Sequence, residues 1–228
     1  MIIKNIDNLD QPSDYTIVGS GPASITLALK LEEKGFRVTM IEAGDILPSA
    51  ESQEFYEGKN TGDKYFDLDV TRLRCFGGSS QHWGGWCRPL DENDFDKWPI
   101  KKSSLDEYLS EACDILEIKD TFYKNKITDN IDQISFNFSP PVRFNEKYYR
   151  RIKNSKKIIL ILNTSLLKIL GNNDGLVENI EVNNLNSNKN IKVKNLILGC
   201  GGLENSRILL WNKLISQNNF LKRINPGY

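Results

Sequence analysis

The apolar positions of this chain follow two rhythms, and their order predicts an α/β fold. Tyr15–Val18 is a short, largely apolar run with β-branched residues, followed directly by Gly19, Ser20 and Gly21. That is the pattern of a buried strand entering a tight turn. From Pro22, the apolar residues Ile25, Leu27, Ala28, Leu29 and Leu31 recur at helical spacing until Lys34-Gly35, a cation followed by a left-handed cap. Arg37–Ile41 then predicts a second strand ending in Glu42, so residues 15–44 read as a βαβ unit.

Beyond it the pattern is uneven. Residues 45–70 are polar, with Phe55, Tyr56, Tyr65 and Phe66 as isolated anchors, and a connection of that length is usually functional or packed over something. Residues 71–95 suggest no regular element. Ser103-Ser104 followed by LDEYLSEACDIL predicts a capped amphipathic helix reaching Leu116. Residues 118–145 show little periodicity, and Pro140-Pro141 dictate an extended path. A short helix is expected over 144–151. Lys157–Leu162, Leu166–Leu170 and the alternating LVENIEVNN predict strands, with a turn at GNNDG and another at NSNKN leading into IKVKNLILGC. Three or four antiparallel strands would then form a meander inserted into the main sheet. Leu196–Leu198 closes it, followed by Gly199, Cys200, Gly201 and Gly202 and the helical pattern LENSRILLWNKL.

Each residue type in the first unit has a mechanical reason. Gly19 permits the tight turn, and Gly21 lets backbone approach a pyrophosphate without a Cβ in the way. Pro22 suits the first turn of a helix, where its missing N–H would be unpaired anyway. The helix N-terminus, with Ala23, then faces the phosphates through free N–H groups and the helix dipole. Glu42, about 20 residues beyond the glycines and followed by Ala43, is placed to accept hydrogen bonds from ribose hydroxyls and to repel a 2′-phosphate. Ser24 holds the third fingerprint position, where Gly or Ala is usual because helix and strand pack closely there.

Composition narrows the picture. Lys+Arg and Asp+Glu each number 30 in 228 residues, so no basic field argues for nucleic acid and no acidic excess for a solvating tail. Cys75, Cys87, Cys113 and Cys200 are scattered, without a C-x-x-C pair or a companion His cluster, so neither a metal site nor a disulfide framework is expected. The opening stretch lacks a basic region followed by a long apolar run, and no stretch approaches the ~20 apolar residues of a membrane span. The expectation is a cytoplasmic protein with no membrane or nucleic-acid partner.

Two further glycine-rich stretches change the reading from fold to chemistry. TRLRCFGGSSQHWGGWCRPLDENDF carries four glycines, two tryptophans and the only histidine of the chain. Gly77 and Gly78 beside Ser79 and Ser80 suit backbone that approaches a ligand closely, while His82 and Trp83 follow. LILGCGGLENSRILL repeats the strand–glycine–helix order, and two such turns on one parallel sheet would meet at the crevice outside the strand ends.

With these three motifs the chain resembles the N-terminal part of the glucose–methanol–choline (GMC) flavoprotein oxidoreductases. VGSGPAS with IEAG is similar to that family's FAD-binding βαβ unit, RLRCFGGSSQHWGGWCRPL to its second flavin-contacting loop, and LILGCGGLENSRILL to its late strand–turn–helix. FSPPVRF followed by NTSLLKI is similar to the sugar- and pyranose-oxidising branch. The resemblance implies FAD, with Gly19, Ser20, Gly21, Pro22 and Ala23 at the pyrophosphate, and Glu42 and Ala43 at the adenosine ribose. Leu166 would lie near the adenine, Gly77, Gly78, Ser79, Ser80, His82 and Trp83 near the isoalloxazine, and Gly199, Cys200 and Gly201 on the flanking turn. It further implies that His82 matches a position where some relatives bond covalently to the flavin.

The implied fold is an FAD-binding Rossmann-like parallel sheet with a β-meander insertion and the start of a substrate domain, truncated relative to the family. Residues 1–98 would be the first part of the FAD-binding domain, 99–156 a helical segment and the start of the substrate domain, and 157–228 the return to the FAD-binding domain. The family's proton-abstracting histidine and its partner lie in a far C-terminal part that no residue here matches, so no catalytic residue is assigned. The closing INPGY resembles a point where relatives continue. The expected activity is oxidation of CH–OH groups of alcohols or sugars, completed by a missing part or by a second chain. The alternatives are a non-catalytic FAD- or nucleotide-binding remnant or subunit, and an NAD-binding dehydrogenase, in which the second and third motifs would have no purpose.

Overall fold

The computed structural model describes residues 1–7, 9, 12–172, 174–215 and 221. The closing INPGY stretch, residues 224–228, lies outside the described residues, as does Asn173 of the predicted GNNDG turn. The chain divides into two compact units, Met1–Gln81 with Arg143–Tyr228, and His82–Val142.

In chain order the elements are β1 (Ile2–Ile3), β2 (Tyr15–Val18), α1 (Pro22–Glu33), β3 (Val38–Ile41), α2 (Ala50–Glu54), β4 (Trp86–Cys87) and α3 (Leu109–Leu116). There follow β5 (Lys124–Thr128), β6 (Ile131–Ile134), β7 (Asn137–Phe138), α4 (Phe144–Lys153) and β8 (Ile158–Ile161). The last are β9 (Thr164–Gly171), β10 (Val177–Asn184), β11 (Ser187–Lys192), β12 (Leu196–Leu198) and α5 (Gly202–Ile215).

The first unit is built on a five-stranded sheet in the order β1-β8-β3-β2-β12, parallel throughout. This is the Rossmann-like α/β architecture that the βαβ unit predicts. All four residues of β3 are buried, Thr39 among them, as expected of a strand covered on both faces. Ser13 satisfies the Thr39 hydroxyl at 2.7 Å. α1 runs from Pro22, buries Ser24, Ile25, Ala28 and Leu31, and stops at Lys34 and Gly35, whose φ of +93° is the left-handed geometry glycine tolerates. The other face carries a second core, where Ile180 and Val182 of β10 pack with Ile6, Ile41, Ile161 and Val193.

Three expectations shift here. Residues 158–161 belong to the parallel sheet, leaving a three-stranded meander in the order β11-β10-β9. The hairpin turn lies at Leu185-Asn186, with φ of +51° and +62°, so only the first residue of NSNKN belongs to it. Two consecutive left-handed residues make the tight loop whose twist matches the flanking strands, and this draws the polar SNKNIK stretch into the ladder as β11. Ile2–Ile3, where no strand was expected, forms the edge strand β1, parallel to β8.

In the second unit, β4 pairs antiparallel with β7, and Trp86 meets Phe138 edge-on at 4.4 Å and Phe136 at 5.8 Å. Gly85 is required there: its φ is +82°, and a Cβ would stand 2.5 Å from the Ser139 carbonyl oxygen. The predicted amphipathic helix is shorter than expected. Lys102–Ser104 and Asp106–Tyr108 form separate 3-10 turns, and α3 begins at Leu109 without a side-chain cap. Residues 124–134, which showed no periodicity, form the hairpin β5–β6 with both faces exposed. Lys124 and Asp132 pair across it at 3.1 Å.

All four cysteines are free thiols. Among the described residues, no helix is long and apolar enough to cross a membrane, and no group of three or more His, Cys, Asp or Glu is placed to hold a metal ion.

Candidate functional site

The carboxyl ends of β12, β2 and β3, with the start of β9 just beyond β8, open onto a cavity of about 720 Å³ within the first unit. That is the crevice in which ligands of parallel α/β sheets bind, and its size suits a nucleotide. Of the sequence-predicted residues, Gly19, Ser20, Gly21, Pro22, Ala23, Glu42, Ala43, Gly78, Ser79, Leu166, Gly199, Cys200 and Gly201 line it. Gly77 and Ser80 stand behind the wall. The Gly77 N–H donates to the Ser20 carbonyl at 2.9 Å, and the Ser80 hydroxyl donates to Gly77 O at 2.7 Å while accepting from the Phe144 N–H at 3.1 Å.

The glycines divide by what surrounds them. At Gly19, φ is +95° and a Cβ would stand 2.5 Å from the Gly199 carbonyl oxygen. A Cβ on Gly78 would lie 3.3 Å from the Gly21 Cα, so the two glycine motifs press on each other. By contrast, a Cβ on Gly21, Gly201 or Gly202 would meet nothing within 4 Å, and all three line the cavity. Their missing side chains therefore leave ligand space. Ser24 finds room because Gly199 has no Cβ to collide with its hydroxyl, which instead donates to Gly199 O at 3.2 Å.

The N-terminus of α1 is open to an anion. Gly21 supplies no side-chain cap and the first turn holds no acidic residue. Glu42 sits one strand away, 6% exposed. One carboxylate oxygen accepts from the Ser20 N–H at 3.1 Å and the Ser20 hydroxyl at 2.6 Å, and the other from the Gly44 N–H at 2.8 Å. Three of its roughly four lone-pair positions are thus used, which orients the group and leaves it capacity for about one ligand hydroxyl. Ser20 is therefore a positioning residue for Glu42.

The opposite rim is electrostatically different. Glu204, in the first turn of α5, takes Arg72 on one oxygen at 2.9 Å and Arg207 on the other at 2.7–2.8 Å. Burial alone would raise its pKa, but the hydrogen bonds from Arg207 and Arg72 prevail and hold the carboxyl below its ordinary range. Arg72 also stacks on Tyr56, 4.1 Å from the ring centroid. Burial, reinforced by Glu42 and Glu204, pushes the Tyr56 phenol up. Burial likewise pushes the Cys75 and Cys200 thiols up to about 12, so both stay protonated. Asn205 staples the turn, accepting from the Cys200 N–H at 2.9 Å and donating to Leu198 O at 3.2 Å.

Phe55, Tyr56, Arg72, Arg74, Ser165 and Glu204 line the cavity without having been singled out as site residues. The strand–glycine–helix pattern points to the glycines of each turn, whereas Arg72, Arg74 and Glu204 flank those glycines within the same stretches and Phe55, Tyr56 and Ser165 arrive from segments that carry no motif. His82 and Trp83 belong to the second unit. His82 is exposed and its imidazole makes no hydrogen bond among the described residues. The Trp83 indole N–H donates to Val142 O at 3.0 Å.

Comparison with known proteins agrees with the fold. The family described as NAD(P)-binding Rossmann-like domain matches residues 17–87, from within β2 to the end of β4. No curated protein matches the chain. Among solved structures, the chain is similar to the crystal structure of pyridoxine 4-oxidase from Mesorbium loti, with a TM-score of 0.59 at 17% identity. The match covers 86% of this chain and 51% of that one, so the chain spans about half the length of that oxidase.

Proposed function

We propose that this chain is the FAD-binding part of a flavin-dependent oxidoreductase of the GMC type, acting on CH–OH groups of alcohols or sugars. The observation that carries the reading is the cavity itself: an acid-free, uncapped helix N-terminus, an oriented carboxylate one strand away, and glycines whose absent side chains leave space. The match to a structure named as an oxidase supports the class of chemistry.

In this reading, Gly21, Pro22 and Ala23 hold the pyrophosphate with the N–H groups of α1, and Glu42, set by Ser20 and Gly44, accepts from the adenosine ribose. Leu166 covers the adenine, Gly77–Trp83 serve the isoalloxazine end, and Gly199, Cys200 and Gly201 close the flank. Bound FAD would supply the electron-accepting ring for alcohol oxidation. His82, the only imidazole in the chain, is proposed as a covalent anchor for that ring. Nothing in the chain is assigned as the base that takes the hydroxyl proton, so catalysis calls for residues supplied from elsewhere.

An absorbance titration with FAD tests this directly. Bound flavin that is not bleached by alcohols is the expected result for the isolated chain. Bleaching by an alcohol would show that the chain carries its own base, and preferential binding of NAD would overturn the flavin reading. Acid precipitation of the FAD complex tests the anchor: a yellow pellet supports His82, and a colourless one refutes it.

A further inference from the structure

Arg74 is a buried cation that the dinucleotide reading has not used. It is 9% exposed, lines the cavity, and has no carboxylate within ion-pair distance among the described residues. Two serine hydroxyls clamp its guanidinium instead, Ser52 on one nitrogen and Ser165 on the other, each at 2.7 Å. One face lies over the Phe55 ring, with 4.6 Å from the guanidinium carbon to the ring centroid. The carboxylates it senses are those of Glu42 and Glu204, with the Arg207 cation opposing and the Tyr56 phenol nearby. A guanidinium has five N–H donors, and the two serines account for two of them.

Its place along the sheet edge gives it a partner. The phosphate seat lies at the tip of β2, Glu42 at the tip of β3, and Ser165 follows the next strand, β8. The Arg74 backbone packs directly on Gly44, where a Cβ would collide with the Arg74 carbonyl. Neighbouring strands are spaced about 4.8 Å apart, so a nucleotide laid from β2 across β3 puts its ribose at Glu42 and its base at the tip of β8.

We propose that Arg74 is a specificity-determining residue for the nucleoside end of the ligand. Its guanidinium, backed by Phe55, presents a flat cationic surface and spare N–H donors to a purine base, beyond the ribose held by Glu42. A clamped guanidinium loses little freedom on binding, which is why the serine pair matters. This rests on the cavity being a dinucleotide site and names the residue that reads the half shared by all adenine dinucleotides.

The test compares the full chain with Arg74→Met and Ser165→Ala, titrated with ADP, FAD and inorganic pyrophosphate. Arg74→Met is expected to weaken ADP and FAD by about 10- to 100-fold, the range for a hydrogen-bonding charged group, while leaving pyrophosphate binding at α1 unchanged. Ser165→Ala, which frees one side of the clamp, should weaken ADP several-fold. An Arg74→Met protein that binds ADP like the parent, or loses pyrophosphate in parallel with ADP, overturns the proposal. If Arg74→Met does not fold, Ser165→Ala decides, and unchanged ADP affinity there sinks it. A parent chain that binds ADP but not FAD counts against the flavin reading alone; one that binds neither removes both.

Discussion

Two strand–turn–helix units meet at the cavity, and they are alike in element order and different in charge. β2 leads through Gly19–Gly21 into α1, whose first turn contains no acid and no side-chain cap. β12 leads through Gly199–Gly201 into α5, whose first turn contains Glu204 held by two arginines. A helix N-terminus attracts one anion or another. α5 already has its own carboxylate there, whereas α1 has none, so only the N-terminus of α1 is left open to an anion from outside. The repeated glycine pattern therefore has two different surroundings, and side chains three residues into each helix tell them apart.

Substitutions at the two turns separate their roles. Gly19→Ala should have the largest effect, because its φ of +95° and the Gly199 carbonyl at 2.5 Å leave a methyl group nowhere to go. We expect a loss of about 3–5 kcal/mol in chemical denaturation, with nucleotide binding lost as well. Gly21→Val separates binding from folding. Its Cβ would enter open space, so the melting temperature should be unchanged while ADP affinity falls by about 100-fold, equivalent to about 2.7 kcal/mol. A parallel loss of stability would show that the space belongs to the fold.

Gly199→Ala drives a methyl into the Ser24 hydroxyl and should destabilise by about 1–3 kcal/mol. Ser24→Gly in the same chain should recover most of that, and a double-mutant cycle showing simple additivity would disprove the contact. Glu204→Gln is the mildest, at about 1–2 kcal/mol at neutral pH. The folded-state pKa of Glu204 lies below its ordinary value of 4.5, so its contribution is complete above that value and is lost as pH falls through the folded-state value. The stability gap between parent and variant should therefore be flat above about pH 5 and close in acid; a gap that widens in acid would reverse the assignment.

How much of this was legible follows from what each element buries. β2, α1 and β3 could be read directly, since a strand buried on both faces is a continuous apolar run and the helix between them keeps its period. Glu42 was legible from its distance to the glycines. Its restraint by Ser20 and Gly44 was not, because a hydroxyl beside a glycine reads as turn chemistry. The β5–β6 hairpin buries neither face, so its sequence never had to alternate. β1 is two residues long and owes its existence to a partner more than 150 positions away. Arg74 and Ser165 stand 91 residues apart, joined only by the fold.

The contact between Ser24 and Gly199 spans 175 residues, and β2 waits equally long for β12 as its neighbour. During synthesis at roughly 5–20 residues per second, the edge of β2 would stay unpaired for about 10–35 s after it emerges. The turn after β2 is thus made long before it is completed. A chaperone that shields that edge, or a slow stretch of translation near residue 195, would change the yield of competent protein without altering a single native contact.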